Sequence, residues 1–129
     1  MLKDGILNPD ILMLLAKFRH TNLLVIADRG FPSWPAVKTV DISLVDGIPT
    51  VLQVFAAIRE QCSIGKIYMA EEFARLNKPS VRSALAKECG AIQVVREPHV
   101  RFKLRVPGAI GIIRTGDTTQ YANMILESA

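Results

Sequence analysis

What this sequence has little of narrows its chemistry first. It holds two cysteines in 129 residues, Cys62 and Cys89, neither in a Cys-x-x-Cys pattern and each at what reads as the end of a helix. A disulfide framework and a thiolate metal site both lack their raw material, so the thiols read as buried or idle. The two histidines, His20 and His99, stand far apart with no cysteine beside them, and no metal site is expected. Gly-x-Gly-x-x-Gly, the P-loop, His-Glu-x-x-His and Gly-x-Ser-x-Gly are all missing, which removes the usual support for nucleotide, zinc-protease and hydrolase chemistry. No apolar run approaches the ~20 residues of a membrane span. The opening Met1–Asp10 carries charge and a proline where a secretory leader needs an unbroken apolar core. A soluble, cytoplasmic chain with no membrane partner is expected.

Charge of one sign is only mildly in excess: 16 Lys and Arg against 12 Asp and Glu give +4 and an isoelectric point near 9.3. The basic residues are spread thinly and do not interleave with aromatics, so nucleic acid is not the expected partner. What the chain does have is apolar material, at 50% of its residues, in an alternating series of elements with no repeat and no linker. One domain over residues 1–129 follows. Asn8 and Pro9 form a helix start, and Ile11, Leu12, Leu14, Leu15 and Phe18 recur at helical spacing toward His20. Leu23–Ala27 is a short buried strand closed by Asp28 and a loop broken by Gly30, Pro32 and Pro35. Thr39–Leu44 is a second strand. Thr50 and Gln53 have the spacing of a capping box ahead of a second helix. Lys66–Ala70 is a strand, Pro79 opens a helix to Cys89, and Gly90 stops it. Ala91–Val95 is again a strand, and Pro98 opens a short helix before Pro107. Two β-rich segments, Ala109–Arg114 and Tyr121–Leu126, flank Thr115–Asp117. Strands alternating with helices predict an α/β fold: a single three-layer domain with a mostly parallel sheet flanked by helices.

Polar residues at the edges of apolar elements are the candidates for function. Ligands of open α/β sheets bind outside the carboxyl ends of strands, where Asp28 falls. His99 and Lys103 are four residues apart and share one face of the short helix. Tyr121 and Asn123, two apart in the expected last strand, leave one face together. Each pattern also has a plain structural reading: a loop cap, a solvated basic helix, a wet edge strand. Glu71 and Glu72 follow a buried strand directly and read as a helix entry, outside the site.

The segments GILNPDI, HTNLLVIAD (His20–Asp28), GFPSWP, GIPTVLQV (from Gly47), MAEE (from Met69), HVRFK (His99–Lys103) and IIRTGDTTQYANMIL (from Ile112) occur in one order at compatible spacing. In these the chain resembles the ribose pyranase and fucose mutarotase family along nearly its whole length. The resemblance implies His20 as the catalytic acid, with Asp28, His99, Lys103, Tyr121, Ala122 and Asn123 as sugar contacts. It implies a free monosaccharide as the small-molecule partner, no cofactor, and a ring-type homo-oligomer, a decamer, with the sugar near subunit boundaries. Three departures leave the sugar open: Asn22 stands where ribose-type members usually have aspartate, Gly30-Phe31-Pro32 replaces a Gly-Leu-Pro loop, and the tail ends Glu127-Ser128-Ala129. The Phe-Pro pair is similar to the fucose branch.

The activity so implied is opening and reclosing of a sugar ring, interconverting pyranose and furanose forms or anomers. That reaction needs a proton delivered to the ring oxygen and another taken from the anomeric hydroxyl. An imidazole of ordinary pKa (~6.5) has both protonation states at hand near neutrality. A non-catalytic sugar-binding or regulatory subunit would use the same polar lining. An extended strand rises about 3.3 Å per residue, so His20 and Asp28 should stand about 20 Å or more apart if the segment between them is extended. Either neighbouring subunits join to make one site, or the chain folds back near His20.

Overall fold

In the computed structural model, which describes residues 1–129, the expected start signals do their work. The Asn8 side chain accepts the backbone N–H groups of Asp10 and Ile11, each at 3.0 Å, and opens helix α1 (Pro9–Lys17). Thr50 and Gln53 close the capping box of α2 (Val51–Arg59): Thr50 Oγ1 accepts from Gln53 N–H at 3.1 Å, and Gln53 Oε1 accepts from Thr50 N–H at 2.9 Å. The α2 start gains a further acceptor from far along the chain, because buried Asp117 takes the Val51 N–H on Oδ2 at 2.8 Å.

Between and after these helices run β1 (Leu23–Ala27), β2 (Thr39–Asp41), β3 (Ile64–Ala70), α3 (Glu72–Leu76), α4 (Pro79–Cys89), β4 (Gln93–Glu97), α5 (His99–Arg105), a 3-10 turn at Val106–Gly108, β5 (Ala109–Arg114) and β6 (Met124–Ser128). The strands form one sheet in the order β2-β5-β1-β6-β3-β4. All pairings are parallel except the two made by β6, which runs against both β1 and β3.

Strand alternation divides the core. Leu24, Ile26, Ile67, Met69, Met124 and Leu126 face one side and pack with Leu14, Phe55, Ile58, Phe73 and Leu85 from the first four helices. Val25, Ala27, Ile112, Ile125 and Tyr68 face the other, under Phe102 of α5, Val106, and Phe31 and Val37 of the loop after β1. Helices therefore cover both faces of a mostly parallel sheet, the three-layer α/β arrangement expected.

Some boundaries differ. The second strand stops at Asp41 rather than Leu44, where the Asp41 carboxylate turns back to accept the Ser43 N–H at 3.0 Å. The first helix ends at Lys17, short of His20. Glu71 and Glu72 do enter a helix, α3, which the periodicity had not resolved as a separate element. The last strand begins at Met124, not at Tyr121. Tyr121 sits at φ 57°, in the left-handed region, and the Ala122 N–H closes a turn onto the Thr119 carbonyl. The residues expected on one face of a strand therefore lie in the turn that precedes it.

Candidate functional site

Because β6 is antiparallel, its entry lies at the edge of the sheet where β1, β3 and β4 end. Four chain segments meet there around an open cavity of about 400 Å³ lined by Asp28, Gly30, Phe31, Pro32, Leu76, His99, Gln120, Tyr121 and Asn123. That volume lies toward the small end of the ~300–1,000 Å³ common for small-molecule sites.

Asp28 and Asn123 are locked as a pair. The Asp28 backbone N–H donates to Asn123 Oδ1 at 2.7 Å, and Asn123 Nδ2 donates to Asp28 Oδ2 at 3.1 Å. Asp28 Oδ1 also accepts the Gly30 N–H at 2.9 Å. A carboxylate has about four acceptor positions, so the two this network leaves over, together with the second Nδ2 proton of Asn123, are free for a ligand. Such convergent, pre-positioned donors and acceptors suit a polyhydroxylated molecule.

His99 opens α5. Its ring stacks on Phe102 with centroids 5.7 Å apart and meets Tyr121 edge-on at 5.1 Å. Nδ1 is buried without a partner, which leaves Nε2 as the ring nitrogen open to the cavity. Burial lowers the His99 pKa below its ordinary value; Lys103 lowers it further, against the opposing charges of Glu72 and Asp28. The imidazole is thereby held toward its neutral form near neutrality.

The loop wall is anchored from beneath. Arg114, at the end of β5, donates to the Phe31 carbonyl from Nε at 3.1 Å and from Nη2 at 2.8 Å, to Ser33 Oγ at 2.8 Å, and to Asp41 Oδ2 at 3.1 Å. Phe31 in turn packs on Trp34 and, edge-on, on Phe102. On the opposite wall, Asn77 Nδ2 ties the end of α3 to the loop by donating to the Phe73 and Gln120 carbonyls, each at 2.9 Å.

The structure thus brings together Asp28, His99, Tyr121 and Asn123, and separates the remaining candidates. Lys103 is near enough for its charge to act on His99 but does not line the cavity. Ala122 is buried and faces the other side of its segment, into a mainly apolar cavity of about 290 Å³ beside α2 and α4. His20 is exposed in the turn Arg19–Asn22, at the far end of the sheet. The Ser128 carbonyl accepts the neighbouring Thr21 N–H at 3.1 Å, whereas Asn123, before the first residue of the same strand, holds Asp28. With β1 extended between them, His20 and Asp28 lie about 20 Å apart along the strand axis. The chain does not fold back to join them. Gly30, Phe31, Pro32, Leu76 and Gln120 were not among the candidates. The loop after β1 could have been found from the strand-end rule, and Gln120 lies within the run IIRTGDTTQYANMIL beside Tyr121, whereas Leu76 carries no sequence signal.

The model of the RbsD / FucU transport protein family matches residues 1–129. The chain belongs to that family. A D-ribose pyranase of Geobacillus kaustophilus is 40% identical over 128 residues, covering 99% of this chain and 93% of the relative. One of Staphylococcus haemolyticus is 39% identical, covering 99% and 97%. Among solved structures, Bacillus subtilis RbsD complexed with D-ribose superposes with a TM-score of 0.92 at 33% identity, covering 100% of this chain and 98% of that one. The fucose mutarotase of Streptococcus pneumoniae, in complex with L-fucose, shares the fold at TM-score 0.78 and 22% identity, covering 99% and 98%.

Proposed function

We propose that this protein is an intramolecular isomerase that opens and recloses the ring of a free monosaccharide such as D-ribose or L-fucose. The observation that carries the reading is the convergence of Asp28, His99, Tyr121 and Asn123 on one cavity. The names of the relatives, D-ribose pyranase among them, indicate which chemistry such a cavity serves. Asp28 accepts sugar hydroxyls on its free lone pairs. Asn123 offers an amide N–H, and neutral His99 offers Nε2.

Ring opening breaks the bond between the anomeric carbon and the ring oxygen. A proton reaches the ring oxygen as another leaves the anomeric hydroxyl, giving the open-chain carbonyl form. Reclosure after rotation, or attack by a different hydroxyl, gives the other anomer or ring size. His20 is the proton donor in this proposal. Since it lies about 20 Å from Asp28 in its own chain, it serves the cavity of a neighbouring copy in a ring-type oligomer, so that each site takes residues from two chains. No helix is long and apolar enough to cross a membrane.

Saturation-transfer NMR of the anomeric protons of ribose and fucose tests the activity. The expected result is accelerated exchange for one sugar, with His20→Ala losing most of it, since positioned acid–base catalysis contributes ~10² to 10⁴ in rate, while binding survives. Full exchange in His20→Ala would overturn the assignment. Mixing inactive His20→Ala chains with inactive Asp28→Asn chains tests the shared site: random assembly restores roughly a quarter of sites if neighbours complete one another, and none if each site is self-contained. The distance of His20 from the cavity supports one second reading, a sugar-binding subunit without catalysis. Binding with no accelerated exchange would identify it.

A further inference from the structure

β3 and β4 lie side by side, and their last paired residues are Ala70 and Glu97. Two ties cross between the segments that leave these strands. The Glu71 N–H donates to the Glu97 carbonyl at 2.8 Å. The carboxylate of Glu72, at the start of α3, accepts the backbone N–H of His99 with both oxygens at 3.1 Å. The second tie meets a need. Pro98 has no N–H and no capping side chain, and α5 has no side-chain cap of its own. The His99 N–H would otherwise be an unsatisfied donor at the start of a helix. A carboxylate there also complements the helix dipole.

The ring of His99 has no hydrogen bond of its own to fix it. Nδ1 is buried and unpartnered, and only Phe102 and Tyr121 hold the ring plane. The direction of Nε2 therefore depends on where the helix backbone begins. We propose that Glu72 is a positioning residue, fixing the first residue of α5 through its N–H so that the His99 Nε2 faces the cavity. This rests on the reading of His99 as a sugar contact. The charged and titratable groups facing the imidazole are Glu72 from α3, Lys103 one turn along α5, Asp28 after β1 and Tyr121 before β6. Of these, Glu72 and Asp28 favour the cation.

The chain has two histidines, so proton NMR titration of their ring signals, assigned with His20→Gln, reads the effect directly. Glu72→Gln keeps an acceptor for the His99 N–H and removes the charge. Its His99 midpoint should fall further below that of the unaltered chain, and its Kd for D-ribose should stay within about twofold. Glu72→Ala loses the acceptor as well, and its Kd should rise about fivefold, the equivalent of one lost cap. An unmoved His99 midpoint in Glu72→Gln, or an unchanged Kd in Glu72→Ala, would overturn the proposal. Failure of D-ribose to bind the unaltered chain would count against the proposed function alone, because the titration needs no sugar.

Discussion

Replacing Asn123 by aspartate changes one atom and reverses the logic of the Asp28 pair. Asn123 is 3% exposed, and its Nδ2 donates to Asp28 Oδ2 at 3.1 Å. In Asn123→Asp an oxygen replaces that donor, and two carboxylates face each other. At an effective dielectric constant of ~20, two full charges ~3 Å apart repel by about 5 kcal/mol. The pair escapes by keeping one proton, and holding a proton at pH 7 on a group of ordinary pKa ~3.9 costs about 4 kcal/mol. The smaller figure governs, so the variant should be about 4 kcal/mol less stable at pH 7. The sign follows from the linkage. The new group's folded pKa is raised above its unfolded value, so the folded state regains stability as pH falls, by ~1.4 kcal/mol per unit. The deficit should shrink to about 1.5 kcal/mol at pH 5. Urea unfolding of both chains at pH 7 and pH 5, at one protein concentration, measures it. A deficit that does not depend on pH would show that the two side chains do not face each other and that the Asp28–Asn123 pair does not frame the cavity.

Two other outcomes follow from the same contacts. In Gly116→Ala the new methyl would meet the Val45 and Ile48 carbonyl oxygens, backbone atoms that cannot rotate away, and the displaced segment carries Asp117, the acceptor for the start of α2; a loss of about 2–4 kcal/mol in urea unfolding is expected. Arg114→Lys keeps the charge but cannot reach the Phe31 carbonyl, Ser33 and Asp41 with one fork, so affinity for the sugar should fall several-fold in an NMR titration while urea stability drops by about 1–2 kcal/mol.

The sequence made the layered fold legible because its signals were local. Asn8-Pro9, the Thr50–Gln53 box and the run Leu23–Ala27 each state a boundary or a burial in a few residues, and each holds. What was not local was misjudged. Tyr121 and Asn123 reach the cavity together, but from a turn with positive φ; the apolar run Met124–Leu126 shows where β6 lies, and nothing nearby announces that its first expected residues are bent onto Asp28. His99 and Lys103 do share a turn of helix, yet only His99 lines the cavity, since a period of four says which residues are neighbours and not which way the helix rolls. By its place directly after a buried strand, Glu72 reads from sequence as a helix entry outside the site. It is a helix entry, and its carboxylate also caps α5, a contact across 27 positions in the chain that no spacing rule could suggest.

The position of the cavity is best understood through the one strand that runs against the rest. In an all-parallel sheet the functional edge collects only residues that follow strands, as Asp28 follows β1, Glu72 follows β3 and His99 follows β4. By reversing direction, β6 adds residues that precede a strand, and it does so at the centre of the sheet, between β1 and β3. Asn123 can then face Asp28 from the neighbouring strand at hydrogen-bond distance, with both backbones held by the ladder behind them. The same reversal sends the far end of β6 to the opposite edge, where the Ser128 carbonyl holds the Thr21 N–H beside His20. One strand therefore ties the edge that carries the cavity to the edge that presents the proposed proton donor. A head-to-tail ring, in which the His20 edge of one copy meets the Asp28 edge of the next, would set both ends of β6 to use. A dimer joining like edges would place His20 beside His20 and leave every cavity without its acid, so exchange restored on mixing is expected from the head-to-tail arrangement and not from this one.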